Sequence, residues 1–163
     1  MNRGATFDNI RKYDDALRDY GNCICIREEL QAQGRLYDSN DLASAYLNIS
    51  ITYIEMNQYE NAVVDLDKCI EIRRELFNHG RLYEVGDLAY AMYNKAVILC
   101  AGFDDRIGAL KICNEGINLL EAQESLSYYA KNVLDKLYQL RELLSPDSPD
   151  SPPFPPSASL NPS

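Results

Sequence analysis

A chain of 163 residues, 46% of them apolar, is long enough for about one domain with a hydrophobic core. Its formal net charge of −9 repels nucleic-acid phosphates and anionic lipids, so neither nucleic acid nor a membrane surface is expected as a partner. No apolar run is long enough to span a bilayer, and residues 1–8 lack the apolar core of a signal peptide. We therefore expect a cytoplasmic protein.

The five cysteines indicate reduced thiols rather than a disulfide framework. Their number is odd and no C-x-x-C motif occurs; they are Cys23, Cys25, Cys69, Cys100 and Cys113. Cys23 and Cys25 are two residues apart, so on a helix they point to nearly opposite sides and cannot hold one metal together. We expect reduced, buried thiols, with no metal and no cofactor.

An internal repeat organises the chain. When the sequence is shifted by 46 residues, 18 of the 36 positions from Tyr13 to Asn48 are identical to those from Tyr59 to Asn94. The segment GRLY occurs at 34–37 and again at 80–83, and DLA occurs at 41–43 and again at 87–89. A repeat of this length predicts a stacked array of helical units.

Within the repeat, apolar residues recur at helical spacing in two segments, which we name the A helix and the B helix. Asp41 is expected to cap the start of the A helix, and Asn57-Gln58 forms the short turn to the B helix. The apolar stripe of the A helix is Leu42, Ala45, Tyr46, Ile49, Tyr53 and Met56, and that of the B helix is Ala62, Leu66, Cys69, Ile70, Arg73 and Leu76. The pattern predicts two antiparallel helices.

Glycines mark the end of each B helix. Gly34 and Gly80 are expected to take the left-handed conformation that closes the last helical turn. A link of eight residues follows each glycine. We expect Leu36, Tyr37, Leu82 and Tyr83 of these links to pack into the next helix pair.

These residues resemble the tetratricopeptide repeat (TPR) family. The family pattern W-x₂-L-G-x₂-Y followed by A-x₃-F is matched by Tyr46-x-x-Ile49-Ser50-x-x-Tyr53, then Ala62-x-x-x-Leu66 and Cys69. The period of 46 is longer than the usual one and is similar to the long repeats of kinesin light chain. The resemblance implies an all-α, TPR-like α-solenoid of antiparallel helix pairs with a C-terminal capping helix.

A looser copy and a capping helix complete the array. The looser copy places Met92, Lys95, Ala96 and Leu99 on its A helix, and Ala109, Cys113 and Gly116 on its B helix. An apolar stripe then predicts the capping helix, with residues such as Lys131 and Lys136 on its polar side; the stripe is Leu126, Tyr129, Ala130, Val133, Leu137, Leu140 and Leu144.

The domain organisation follows from these segments. Residues 1–12 are predicted to be a remnant or a truncated helix, 13–144 the repeat domain, and 145–163 a disordered Pro/Ser-rich tail. The predicted units of the repeat domain are 13–34, 41–78 and 87–122, with the capping helix at 125–144. The tail is either inert or a ligand for a proline-recognition domain through residues 152–156.

Groups able to carry out catalysis are scarce. His79 is the only histidine and is predicted to lie, solvated, in a link after a B helix. No glycine-rich phosphate loop occurs, and the aspartate pairs lack the spacing of a calcium loop; these pairs are Asp14-Asp15, Asp65-x-Asp67 and Asp104-Asp105. We expect no enzyme activity.

The TPR resemblance implies that A helices line a concave groove that holds a peptide. The residues it places toward the groove are Ser44, Leu47, Asn48, Ile51 and Glu55 from one A helix, and Tyr90, Tyr93, Asn94 and Val97 from the next. Asn48 and Asn94 match a family position that reaches the peptide backbone, and an amide offers both donors and an acceptor for that purpose. The alternative is that the two asparagines tie neighbouring helices together.

The basic clamp that some family members use for a terminal carboxylate is absent, because Leu47 and Ile51 occupy its positions. Arg27, Arg73 and Arg74 lie late in B helices, where interaction with the helix carboxyl end explains them. Together with the scarcity of catalytic groups, the TPR resemblance leads us to expect a non-catalytic protein–protein interaction module or scaffold with a protein or peptide partner.

The alternative is a structural unit that self-assembles. The first B helix, from Tyr13 to Leu30, has no full A helix before it. It could pair with another copy of the chain, giving a homo-oligomer through its N-terminal end, or with the rest of a longer array, because repeat proteins need capped ends.

Overall fold

The computed structural model describes residues 3–36 and 38–145, with side chains described from residue 12 onward. These residues form helices and no strand, as the all-α prediction required. The helices are α1 (Arg3–Ala32), α2 (Ser39–Glu55), α3 (Tyr59–Asn78), α4 (Val85–Phe103), α5 (Arg106–Glu121) and α6 (Tyr128–Leu144). The predicted tail lies outside the described residues, so its disorder stays a prediction.

Two helix starts differ from the sequence prediction. The prediction of a helix that begins at Tyr13 is wrong, because α1 is one continuous helix from Arg3. Asp41 is also not the cap of α2, since the helix begins at Ser39 and Asp38 accepts a hydrogen bond from the Asn40 backbone N–H at 2.8 Å. Asp41 lies in the first turn instead, where its charge suits the helix dipole.

The residues that cap the starts of α2 and α4 occupy the same position in the sequence repeat. Glu84 lies 46 residues after Asp38 and caps α4 in the same way, with its side chain accepting from the Gly86 N–H at 3.0 Å. The helices α2 and α4 begin at Ser39 and Val85, two residues before the predicted starts at 41 and 87, so each link between a B helix and the next A helix is two residues shorter than predicted. Leu82 is half-buried there, but Tyr83 is 79% exposed, so the expectation that Tyr83 packs inward is wrong.

The predicted glycine caps are confirmed. Gly34 has a φ of 66° and Gly80 a φ of 65°, which is the left-handed region that favours glycine. At the end of α1, Arg35 donates its N–H to the Leu30 carbonyl at 2.8 Å and Gly34 donates to the Gln31 carbonyl at 2.9 Å. The bonds at Gly80 follow the same pattern, so both B helices end in a Schellman motif.

The chain divides into two compact units, Met1–Ile72 and Arg73–Ser163, with the boundary inside α3. In the first unit α1 packs against α2. Asn57, with a positive φ, lies in the turn between α2 and α3, and Lys68 of α3 reaches Tyr46 of α2. The predicted stripes of α2 and α3 supply most of the core; the buried apolar residues of this unit are Ile24, Leu42, Ala43, Ala45, Tyr46, Ile49, Ala62, Leu66, Cys69 and Ile70.

In the second unit α4 packs against α5, and α6 packs against both. Small residues allow α6 to approach closely: a Cβ at Gly86 would lie 2.9 Å from the Tyr129 ring, and one at Gly116 would lie 3.0 Å from Leu137. Of the predicted capping stripe, Ala130, Val133, Leu137, Leu140 and Leu144 are buried. The predicted capping helix is therefore present, although it begins at Tyr128 rather than 125.

No helix among the described residues is both long and apolar enough to cross a membrane. The cytoplasmic location stays a prediction.

Candidate functional site

One face of α2 is accessible, and it carries every residue that the sequence placed there. We name this face the α2 strip; it consists of Ser44, Leu47, Asn48, Ile51 and Glu55. Asn48 and Glu55 are exposed, and the other three are half-buried. The apolar stripe on the other side of the helix, including Leu42 and Ile49, is buried in the core of the first unit. Because the spacing follows the helical period, the amphipathic pattern of the sequence sets both faces.

The buried side of α2 is held by a polar network. The Tyr46 hydroxyl donates a hydrogen bond to the Glu28 carboxylate of α1, and the Lys68 ammonium of α3 donates to the same hydroxyl at 3.3 Å. The Lys68 ammonium also lies 4.8 Å from the centre of the Tyr46 ring. Burial raises the pKa of Tyr46, and the neighbouring Glu28 carboxylate raises it further. These contacts join α2 to α1 and α3 and fix the orientation of the α2 strip.

The corresponding residues of α4 are far less accessible. Tyr90 is 4% exposed and Asn94 is 1% exposed, whereas Tyr93 and Val97 are half-buried. The rings of Tyr90 and Tyr93 are stacked, with 6.2 Å between their centres and 15° between their planes. Burial raises the pKa of both phenols. Within the second unit, the predicted groove residues of α4 therefore form a packed aromatic surface.

Helix α6 contributes to this aromatic surface. Tyr129 meets the Tyr90 ring edge-on, with 6.4 Å between the ring centres. The ammonium of Lys136 lies 5.5 Å from the centre of the Tyr90 ring and 5.9 Å from that of Tyr93. We name Tyr90, Tyr93, Tyr129 and Lys136 the tyrosine cluster. The stripe pattern placed Lys136 on the solvent side of α6, but the residue is half-buried against α4.

Asn94 is the most unusual residue of this surface. Both polar atoms of its side-chain amide are buried without a hydrogen-bond partner among the described residues. The amide lies close enough to the Tyr90 hydroxyl to oppose the rise in its pKa, but the geometry does not complete a hydrogen bond. A buried amide left unpaired costs about 1–3 kcal/mol per group. The alternative function of Asn94, a hydrogen bond that ties helices together, is therefore not seen in this structure.

A second repeated feature joins each B helix to the following A helix. Arg27 lies 3.8 Å from the Asp41 carboxylate, and Arg73, one repeat later, donates to the Asp87 carbonyl at 2.8 Å. Arg73 is only 3% exposed. The explanation of Arg27 and Arg73 by their own helix ends is therefore wrong, because both reach the next helix. The signal was present in the sequence, since the arginine and the aspartate both recur with the repeat.

In the second copy, this contact between the arginine and the next A helix is buried, and α6 adds a further residue to it. The carboxylate of Asp87 is half-buried and interacts with both Arg73 and the Tyr129 hydroxyl. Burial raises the pKa of Asp87, and the positive charge of Arg73 opposes that rise. Burial and the nearby Asp87 carboxylate also raise the pKa of Tyr129.

No cluster of potential metal ligands was found in residues 3–36 and 38–145. His79 is exposed after α3, with its Nδ1 2.7 Å from the Glu75 carbonyl, and Asp105 caps α5. All five cysteines are free; Cys69 and Cys113 are buried, but the expectation of a buried thiol is wrong for Cys25, which is exposed on α1. Burial raises the pKa of the Cys113 thiol to about 11, so this thiol is protonated at neutral pH.

A comparison with protein families adds to this geometry. A family model for the tetratricopeptide repeat matches residues 42–80, which span most of α2, the turn and α3. The chain therefore carries a tetratricopeptide repeat, and its all-α helical-repeat fold fits that family. The match does not test the relation to the long repeats of kinesin light chain. Searches of curated proteins and of solved structures gave no match. Tetratricopeptide repeats are generally protein–protein interaction modules.

Proposed function

We propose that this protein is a non-catalytic interaction module that binds an extended or helical segment of a partner protein. The observation that carries the proposal is the α2 strip. It presents apolar Leu47 and Ile51 beside the exposed amide of Asn48, on a helix whose opposite face is fixed in the core. An exposed amide can pair with the backbone of a bound peptide, and the apolar side chains can bury part of its surface.

The residues predicted on α4 contribute a second surface, which we treat separately from the α2 strip. Tyr90 and Tyr93 offer rigid aromatic area, a common feature of interaction sites. Asn94 has a side-chain amide whose donors and acceptor have no partner within the described ranges, 3–36 and 38–145. A bound segment can reach this amide only if the covering side chains move, so this surface is expected to form its contacts by local rearrangement.

The test uses peptides selected from a phage-displayed random library against the wild-type protein. The selected peptides are then measured by fluorescence anisotropy against Asn48→Ala and against a matched control, Asn22→Ala, which changes an exposed asparagine on α1. We expect Asn48→Ala to weaken binding roughly tenfold, because it removes hydrogen bonds to the ligand, and Asn22→Ala to leave it unchanged. Equal affinities for wild type and a folded Asn48→Ala variant would contradict a binding function of the α2 strip.

Self-assembly through α1 is a second candidate function, and one observation favours it. Ala16, Tyr20, Cys23 and Leu30 are half-buried, whereas the residues 46 positions later on α3 are all buried. Ile26 on α1 is also exposed. This helix therefore leaves apolar surface that another helix could cover. Light scattering at increasing concentration tests it: association is expected, and a strict monomer at high concentration contradicts it.

A further inference from the structure

Lys136 is a cation for which the described part of the chain provides no anionic partner. Its ammonium lies within 6 Å of two tyrosine ring centres, but it forms no ion pair or hydrogen bond with any residue from 12 to 36 or from 38 to 145. A lysine ammonium has three donors, and charged groups that are partly buried are normally paired. The amide of Asn94, one helical turn after Tyr90, also has no hydrogen-bond partner among the residues that the structure describes.

We infer that the tyrosine cluster recognises a single acidic side chain, Asp or Glu, of the bound partner segment. In this arrangement Lys136 pairs with the carboxylate, while the faces of Tyr90 and Tyr93 hold Lys136 in place. The inference rests on the proposed function and specifies the chemistry of the partner segment that binds to the α4 surface. Lys136 is thereby a specificity-determining residue that the repeat pattern alone did not reveal.

The charge of the whole chain limits how acidic the partner segment can be. A net charge of −9 repels a polyanion, so general electrostatic attraction of acidic chains is not the basis of recognition. One carboxylate at a fixed position is different, because a contact between a cation and a carboxylate in a partly buried site is short-ranged and less screened by salt. We therefore expect an acidic residue at one position of a mainly uncharged segment.

The simpler explanation of Lys136 is that its contact with the rings only holds α6 against α4. Such cation–π contacts do stabilise packing. The two explanations predict different results, because a packing role requires no preference for acidic ligands. An Arg at position 136 would keep both the positive charge and the contact with the rings.

The experiment repeats the phage selection with the full chain as the wild type and as four variants. Lys136→Gln removes the charge, Lys136→Glu reverses it and Lys136→Arg keeps it. Lys131→Gln is the matched control, since Lys131 is an exposed lysine on the same helix. Circular dichroism and thermal melting verify that each variant is folded.

We expect the wild type, Lys136→Arg and Lys131→Gln to select peptides enriched in Asp or Glu at one position. Lys136→Gln should lose that enrichment and bind the wild-type peptides roughly tenfold more weakly, and Lys136→Glu should favour Lys or Arg there. Selected peptides without an acidic position, or an unchanged preference in a folded Lys136→Gln variant, would overturn the inference but leave the proposed function standing. A library that yields no binder to the wild type would overturn both.

Discussion

The two copies of the repeat, residues 13–48 and 59–94, have half of their residues in common but bury them differently. In the first copy Ala16 and Arg27 are half-buried and Asn48 is exposed. Their counterparts in the second copy are Ala62, Arg73 and Asn94, and all three are buried. The same residue type at the same repeat position is therefore a surface residue in one copy and a core residue in the other.

The difference shows that the repeat sequence determines helices and caps, whereas the neighbours of each helix determine accessibility. The caps at Asp38 and Glu84 and the closing glycines are equivalent in both copies. Helix α4 also has α6 against it, with Tyr129 and Lys136 over its aromatic residues. A binding residue inferred from one copy can therefore not be transferred to the other without considering what packs on it.

The largest expected effect concerns the repeated arginine. Arg73→Met should lower the free energy of unfolding by about 3–5 kcal/mol, because it leaves the half-buried Asp87 without its cation and removes the bond to the Asp87 carbonyl. Arg27→Met removes an interaction at 3.8 Å with a largely exposed carboxylate, so it should cost less than about 1 kcal/mol. Urea denaturation of the two variants measures the difference.

Methionine is the suitable replacement because it retains the apolar stem that a long arginine side chain packs against its neighbours. Equal losses in the free energy of unfolding for the two substitutions would contradict the conclusion that burial distinguishes the two copies. That conclusion also fails if Arg27→Met is the more damaging variant, since the exposed copy would then be the one on which stability depends.

The repeated alanine should give a smaller effect of the same sign. Ala62 has no exposed surface, so Ala62→Leu should destabilise the protein by about 1–3 kcal/mol through overpacking. Ala16 is half-buried on α1, and Ala16→Leu should change stability by less than about 0.5 kcal/mol. Melting temperatures measured by calorimetry distinguish the two. An unchanged melting temperature for Ala62→Leu would contradict the close approach of helices at this position.

The sequence predicted the parts of this structure that depend on local chemistry. Period and apolar spacing predicted the helix pairs and their buried stripes, and Gly34 and Gly80 indicated where B helices end because few other residues adopt a positive φ. The cap of α2 is harder to predict, because Asp38 and Asp41 are three residues apart and either can begin a helix; only the backbone geometry distinguishes them.

The candidate site was less predictable because accessibility depends on contacts distant in the sequence. The residues of the α2 strip share a face as their spacing required. The surroundings of Tyr90 include Tyr129 and Lys136 of α6, a helix far along the sequence, and the contact of Lys136 with the tyrosine rings has no counterpart in the repeat pattern. Whether the α2 strip and the α4 residues bind a peptide stays a prediction that the proposed selections test.

The smallest expected effect has the opposite sign and concerns the repeated asparagine. Asn94→Leu replaces a buried, unpaired amide by an apolar side chain of similar size, so it should raise the free energy of unfolding by about 1 kcal/mol. Asn48→Leu changes an exposed residue and should alter stability by less than about 0.5 kcal/mol. Urea denaturation measures both changes, with one common dependence of the unfolding free energy on urea concentration for all variants. If Asn94→Leu is instead destabilising, the Asn94 amide forms a hydrogen bond in solution, most simply with the adjacent Tyr90 hydroxyl. Tyr90→Phe then identifies that bond, because the two substitutions would be non-additive in a double-mutant cycle.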